Sequence, residues 1–151
     1  MCGWRVGYSY LPDELYNDMF HLQRSFNSVA AAISQKAAEI SLKNPVVKEK
    51  VKEEIERIRK TRDYVVDKVR NMGSGLSCFM PEACPYLYVK YQRDISSYDL
   101  CEDIILKCSV VVSPGRGNGS IGEGHFCITY ADSIDVVKEG MKRLEEYFKT
   151  N

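Results

Sequence analysis

Five of the chain's ten glycines fall in one short stretch, Pro114-Gly115-Arg116-Gly117-Asn118-Gly119-Ser120-Ile121-Gly122-Glu123-Gly124, so bare backbone is needed there. Gly117, Gly119 and Gly122 satisfy the G-x-G-x-x-G spacing with which a loop approaches a dinucleotide pyrophosphate. That motif works because a helix N-terminus follows the loop and receives the anion. Here His125-Phe126-Cys127-Ile128-Thr129-Tyr130 follows and reads as a strand, which argues against nucleotide binding. Taken alone, the run reads as a wide hairpin whose glycines supply positive φ angles.

The other reactive side chains are dispersed. Six cysteines (Cys2, Cys78, Cys84, Cys101, Cys108, Cys127) form no C-x-x-C pair, and only His21 and His125 could assist them, so no metal ligands are nominated. They read as reduced, mostly buried thiols of a cytoplasmic protein. Arg5, taken alone, reads as a surface arginine.

The elements that must position these residues follow from periodicity. Trp4-Arg5-Val6-Gly7-Tyr8-Ser9-Tyr10 is aromatic and β-branched and predicts a strand, closed by the helix start Pro12-Asp13. Leu15, Met19, Leu22 and Phe26, then Val29, Ile33, Ala37 and Ile40, recur at helical spacing, as two helices or one bent one. Asn44-Pro45 supplies an N-cap and a first helical residue. From there Val47, Val51, Ile55, Ile58, Val65, Val69 and Met72 form one stripe with Arg62 filling a turn, a helix about 40 Å long that stops at Gly73 and Gly75. Its Lys and Glu residues read as a solvated face. Beyond it the period falls to two. Residues 76–80, 85–91, 106–113 and 125–131 predict strands, with a helix near 97–105 and a closing helix after Asp132-Ser133. The expected fold is α/β (α+β): a small antiparallel or mixed sheet packed by helices, reached through a long connecting helix.

Composition narrows the partners. With 151 residues the chain can bury roughly 70% of its unfolded surface, and 21 basic against 21 acidic residues leave it neutral. No basic stripe marks a nucleic-acid binder, and the longest apolar run, Val29 to Ile33, is far too short to span a bilayer.

Three motifs give the chain a family. Gly3-Trp4-Arg5-Val6-Gly7-Tyr8, Pro81-Glu82-Ala83-Cys84-Pro85-Tyr86 and Pro114-Gly115-x-x-x-Gly119-x-x-Gly122-Glu123-Gly124-His125-Phe126-Cys127-Ile128-Thr129-Tyr130-Ala131 resemble, in order and spacing, the C-terminal part of fold-type I, class I/II aminotransferases dependent on pyridoxal phosphate. The resemblance covers essentially the whole chain. It implies residues 1–44 as a remnant of the large coenzyme-binding domain, and residues 45–151 as connecting helix and small domain. It also implies amino transfer between an amino acid and a 2-oxo acid, with pyridoxal phosphate as cofactor of the complete enzyme.

Carried over residue by residue, Arg5 matches the arginine that holds the cofactor phosphate, a task suited to the guanidinium fork. Cys127 stands where the family has the arginine that clamps the substrate α-carboxylate. A thiol cannot form that ion pair, so the substrate-binding role of position 127 is in question. Pro85 stands in place of an aromatic residue and Asn118 in place of phenylalanine. The family's Schiff-base lysine lies roughly eight residues before the matched arginine, upstream of Met1. No residue here is therefore nominated as catalytic, and this chain is expected to bind no cofactor by itself. The implied partners are a second copy in a homodimer or a missing N-terminal part. The alternative is a free-standing small-domain module with a binding or interaction role. Without a surrounding sheet, residues 1–44 should fold back, disorder or pair with a second copy.

Overall fold

A computed structural model describes residues 2–73 and 75–150, the Cys2 side chain excepted. The chain divides into two compact units, Met1–Glu53 and Glu54–Asn151. The first opens with a 3-10 turn, Cys2–Trp4, followed by helices α1 (Asp13–Phe26) and α2 (Ala32–Lys43). Ser28 between them takes a left-handed φ of 58°, which ends one helix and makes two helices rather than one bent one. Helix α3 (Pro45–Asn71) then starts where the Asn44 side chain accepts the Val46 amide at 2.9 Å.

The second unit holds strands β1 (Ser77–Cys78), β2 (Tyr86–Lys90), β3 (Ser113–Pro114) and β4 (His125–Thr129), and helices α4 (Ser97–Cys108) and α5 (Ile134–Thr150). The strands form one antiparallel sheet in the order β1-β2-β4-β3. Alternation decides its two faces. Leu87, Val89, Phe126 and Ile128 point into the core, joined there by Val65 and Val69 of α3, Leu100 and Ile104 of α4, and Met141, Leu144 and Phe148 of α5. The opposite face carries Tyr86, Tyr88, Cys127 and Thr129, exposed or half-buried. All buried hydrophobic residues among those described lie in this second unit; the first unit buries only Ser34.

Two strand expectations are corrected. The segment 4–10 is a 3-10 turn followed by irregular chain, with Tyr8 and Tyr10 89% and 97% exposed. Its residues favour extended backbone, but a strand exists only against a neighbour that takes its hydrogen bonds. The run 106–113 is split: α4 continues to Cys108, stops at left-handed Ser109, and only Ser113 and Pro114 enter the sheet. The stripe on α3 is likewise divided. Val65, Val69 and Met72 are buried, whereas Val51 and Ile55 are half exposed among surface ion pairs such as Lys50–Glu53 and Arg57–Glu54.

The glycine run is not a wide hairpin but two 3-10 turns, Gly115–Asn118 and Ser120–Gly122, folded onto each other. A Cβ on Gly122 would lie 1.9 Å from the Gly115 carbonyl oxygen, and one on Gly115 would lie 2.2 Å from the Gly122 oxygen. Only Gly119 and Gly124 use positive φ, 118° and 77°. Replacing Gly122 with alanine should therefore cost about 3 kcal/mol of stability through overpacking, read as a lower urea midpoint. The same change at Gly117, where the nearest atom outside the adjoining residues is 3.9 Å away, should cost far less.

Candidate functional site

The candidate site is built on the outward face of the sheet and the glycine corner beside it. Cys127 sits mid-way along β4, in register with Tyr88 of β2 on one side and Ser113 of β3 on the other. Partial burial pushes its thiol pKa upward, helped by the nearby Cys84 thiol, so the group is neutral at physiological pH and offers no charge to an anion. The Tyr88 ring stacks on His125 with centroids 5.1 Å apart, and its hydroxyl donates to the Gly115 carbonyl at 3.0 Å. That bond ties the aromatic face to the glycine corner. Pro85 stands just before β2, where its carbonyl accepts the Tyr130 amide at 3.0 Å; Asn118 ends the first 3-10 turn.

Glu123 fixes the other side of the corner. Its carboxylate accepts the Ser97 amide at 2.6 Å, the Gly124 amide at 3.2 Å and the Ser97 hydroxyl at 3.3 Å, with the Tyr91 hydroxyl at 3.4 Å. The Ser97 hydroxyl also accepts the Arg116 amide at 3.2 Å. A carboxylate from the loop thereby caps the start of α4, where backbone donors lack partners. These donors, the Ser97 amide foremost, hold Glu123 below the usual carboxylate range.

Arg5 lies in the first unit, exposed, with left-handed backbone at φ 49° and no side-chain hydrogen bond or ion pair to any described residue. Its guanidinium is free to take a phosphate. Cys127 belongs to the second unit.

The layered sheet, the glycine corner and the long helix define a class of protein: the fold is that of the aminotransferases. An aromatic aminotransferase from Pyrococcus horikoshii OT3 superposes with a TM-score of 0.87 at 28% identity, over 99% of this chain and 40% of that one. The model of the family "Aminotransferase class I and II" matches residues 1–144, and the chain belongs to that family. Among curated relatives, the LL-diaminopimelate aminotransferase of Natranaerobius thermophilus is 27% identical over 98% of this chain and 37% of its own length. The aspartate aminotransferase of Pyrococcus horikoshii is 29% identical over 97% and 37%. The chain thus spans little more than a third of the curated relatives it matches.

Membership of this family implies pyridoxal phosphate in the complete enzyme, and the described residues fit only part of that group. Arg5 can contact a phosphate. An aldehyde needs a lysine kept neutral by a sheltered site, and none of the described lysines is buried. Lys36 and Lys43 both clamp Glu39, at 2.9 and 2.8 Å. Lys68, half-buried, is bound to Glu145 at 3.0 Å, and that carboxylate raises its pKa, stabilising the ammonium. The described residues therefore do not supply the covalent half of a pyridoxal site.

Sequence reasoning missed Tyr88 and Glu123. Glu123 meets a helix start that lies 26 positions earlier, a separation no local pattern encodes. The nearer signal was Ser96-x-x-Asp99, a cap whose serine accepts the Asp99 amide at 3.2 Å. The pH dependence of Glu123 has a definite sign. Its folded pKa is depressed, so its stabilisation is complete above the ordinary value of 4.5 and is lost as pH falls through the lowered one. In urea titrations, the parent should be more stable than Glu123→Gln at neutral pH, and the difference should close on acidification below 4.5.

Proposed function

We propose that this chain is the C-terminal part of a pyridoxal-phosphate-dependent aminotransferase, the end of the large domain in residues 1–44 and the connecting helix and small domain in residues 45–151. The complete enzyme moves an amino group between an amino acid and a 2-oxo acid, and this part is inactive alone. The observation carrying the reading is the family match over residues 1–144 by a chain that covers only 37% of relatives such as the LL-diaminopimelate enzyme. In the complete enzyme pyridoxal phosphate supplies the electron sink for carbon–nitrogen chemistry. What these residues add is placement. Arg5 holds the coenzyme phosphate through charge-assisted hydrogen bonds, while the Tyr88–Cys127–Ser113 face presents an uncharged wall to the substrate. A neutral thiol at 127 forgoes the carboxylate ion pair, weakening amino-acid binding by charged hydrogen bonds of roughly 1.5–3 kcal/mol each.

One observation favours a second reading, a free-standing binding module: every buried hydrophobic residue among those described lies in the second unit, which has the core to fold without the first. A titration separates the two. Mixed with pyridoxal phosphate, the chain should give no stoichiometric, pH-sensitive internal-aldimine band and no transaminase turnover. Combined with the polypeptide that supplies a Schiff-base lysine, it should gain both, and Arg5→Ala should then weaken coenzyme retention in equilibrium dialysis by about tenfold to a hundredfold. A band and turnover from the chain alone, or none after complementation, overturns the proposal.

A further inference from the structure

The four strands contain no aspartate or glutamate, and Lys90 is their single lysine or arginine. The sheet therefore carries one lasting charge, and it is positive. Register decides where that charge stands. Ser77 of β1 pairs with Lys90 of β2, and Lys90 pairs with His125 of β4, so the three form one row across the sheet. Alternation turns this row away from the core, because the adjoining residues Cys78, Val89 and Phe126 lie in the core or pack against it. Opposed side chains on one face have Cβ atoms about 5 Å apart, within reach of a single small anion.

His125 is fixed in this row from two sides. Its Nδ1 lies 3.0 Å from the Glu123 carbonyl oxygen; a carbonyl only accepts, so Nδ1 donates, while stacking on Tyr88 at an interplanar angle of 22° sets the plane of the ring. The Glu123 carboxylate is engaged with the Ser97 and Gly124 amides and does not compete for Lys90. Ser77 and Lys90 make no side-chain hydrogen bond or ion pair with any described residue. One row further along the sheet, about 7 Å away, come Tyr88, Cys127 and Ser113, an aromatic ring, a neutral thiol and a hydroxyl. A cation beside an uncharged, partly aromatic stretch matches a ligand with an anionic head and an apolar body.

We infer that the Ser77–Lys90–His125 row holds the carboxylate of a ligand whose apolar body lies across Tyr88 and Cys127. The Lys90 ammonium and the Ser77 hydroxyl donate to the carboxylate oxygens, and the fixed His125 ring closes one side. The body loses water against the Tyr88 ring and the Cys127 thiol, neither of which needs a counter-charge. The anion that position 127 cannot pair is thus received one row away. The site rests on strand register and residue type; naming its ligand as the substrate, an amino acid or 2-oxo acid with an apolar body, rests on the proposed aminotransferase activity.

Nuclear magnetic resonance titrations of the full chain, labelled with 15N, test it with hexanoate, acetate and 1-hexanol as probes. Hexanoate should shift the amides of Ser77, Lys90, His125 and Cys127 saturably, whereas acetate, lacking the body, and 1-hexanol, lacking the charge, should each bind about tenfold more weakly or worse. Lys90→Gln should raise the hexanoate dissociation constant about tenfold and leave 1-hexanol unchanged. Lys90→Arg, which keeps the charge, should restore most of the affinity; amide dispersion checks the fold of both variants. Hexanoate shifts centred elsewhere, equal binding of hexanoate and 1-hexanol, or a Lys90→Gln chain that binds hexanoate as the parent does overturns the inference. Inorganic phosphate displacing hexanoate at lower concentration overturns it too, since the row would then be a phosphate site. Hexanoate bound at this row without turnover after complementation leaves the site standing and removes the aminotransferase reading; turnover without hexanoate shifts at Lys90 does the reverse.

Discussion

The backbones of Gly115 and Gly122 approach so closely that neither position has room for a methyl group, and the Tyr88 hydroxyl closes over both. This approach determines how the second unit is joined. It folds the end of β3 back over the start of β4, fixes the register of Ser113 with Cys127, and aims Glu123 at the first turn of α4. A loop pinned at its backbone is stiffer than one pinned by side chains, because backbone atoms have no rotamers to exchange. The outward face of the sheet, with Tyr88, His125 and Cys127 in fixed relation, inherits that stiffness. Preorganisation of this kind is what a binding surface requires if the ligand is not to bear the ordering entropy.

The two units differ sharply in how they are sustained. The second has a contiguous core, a helix cap at Ser96 and a closed polar network around Glu123. The first has helices whose apolar residues remain largely in water and whose ordered contacts are mostly side-chain bonds within a turn or so, such as Lys36–Glu39 and Lys43–Glu39. Exposed pairs of that type, screened by water, contribute far less than burial of one leucine. An aminotransferase-family segment that covers 37% of relatives such as the LL-diaminopimelate enzyme is consistent with such an imbalance. Its fold-determining hydrophobic contacts are concentrated where its own sheet is complete.

How much of this was legible beforehand depended on the length of each pattern. The helices α3 and α5 were readable because their apolar residues recur over many turns and their starts carry capping residues, Asn44 and Ser133. The short strands β2 and β4 were readable through alternation and neighbouring turn residues. The run from Leu106 to Ser113 was not, since a brief apolar stretch fits a buried helix end as well as a strand, and the decision rested on left-handed Ser109. The Trp4–Tyr10 segment shows the complementary limit: local preference was strand-like, but pairing is a property of two segments. Motif resemblance reached Arg5 and Cys127, whereas Tyr88 and Glu123 act through contacts that only the folded chain brings together.

The last helix ends on a different kind of bond. Arg93 lies 4.8 Å from the ring centroid of Phe148 and 5.4 Å from that of Tyr147, and the Tyr147 hydroxyl reaches Asp103 at 2.5 Å. Burial, helped by that contact, pushes the tyrosine pKa up to about 12, so it stays protonated. A cation laid over aromatic faces and partly shielded from solvent is less screened by mobile ions than the pairs along α3. Raising the ionic strength should thus loosen the long helix's exterior while leaving the clasp at the carboxyl-terminal end intact, so brine and fresh water would select different places for the fold to fray.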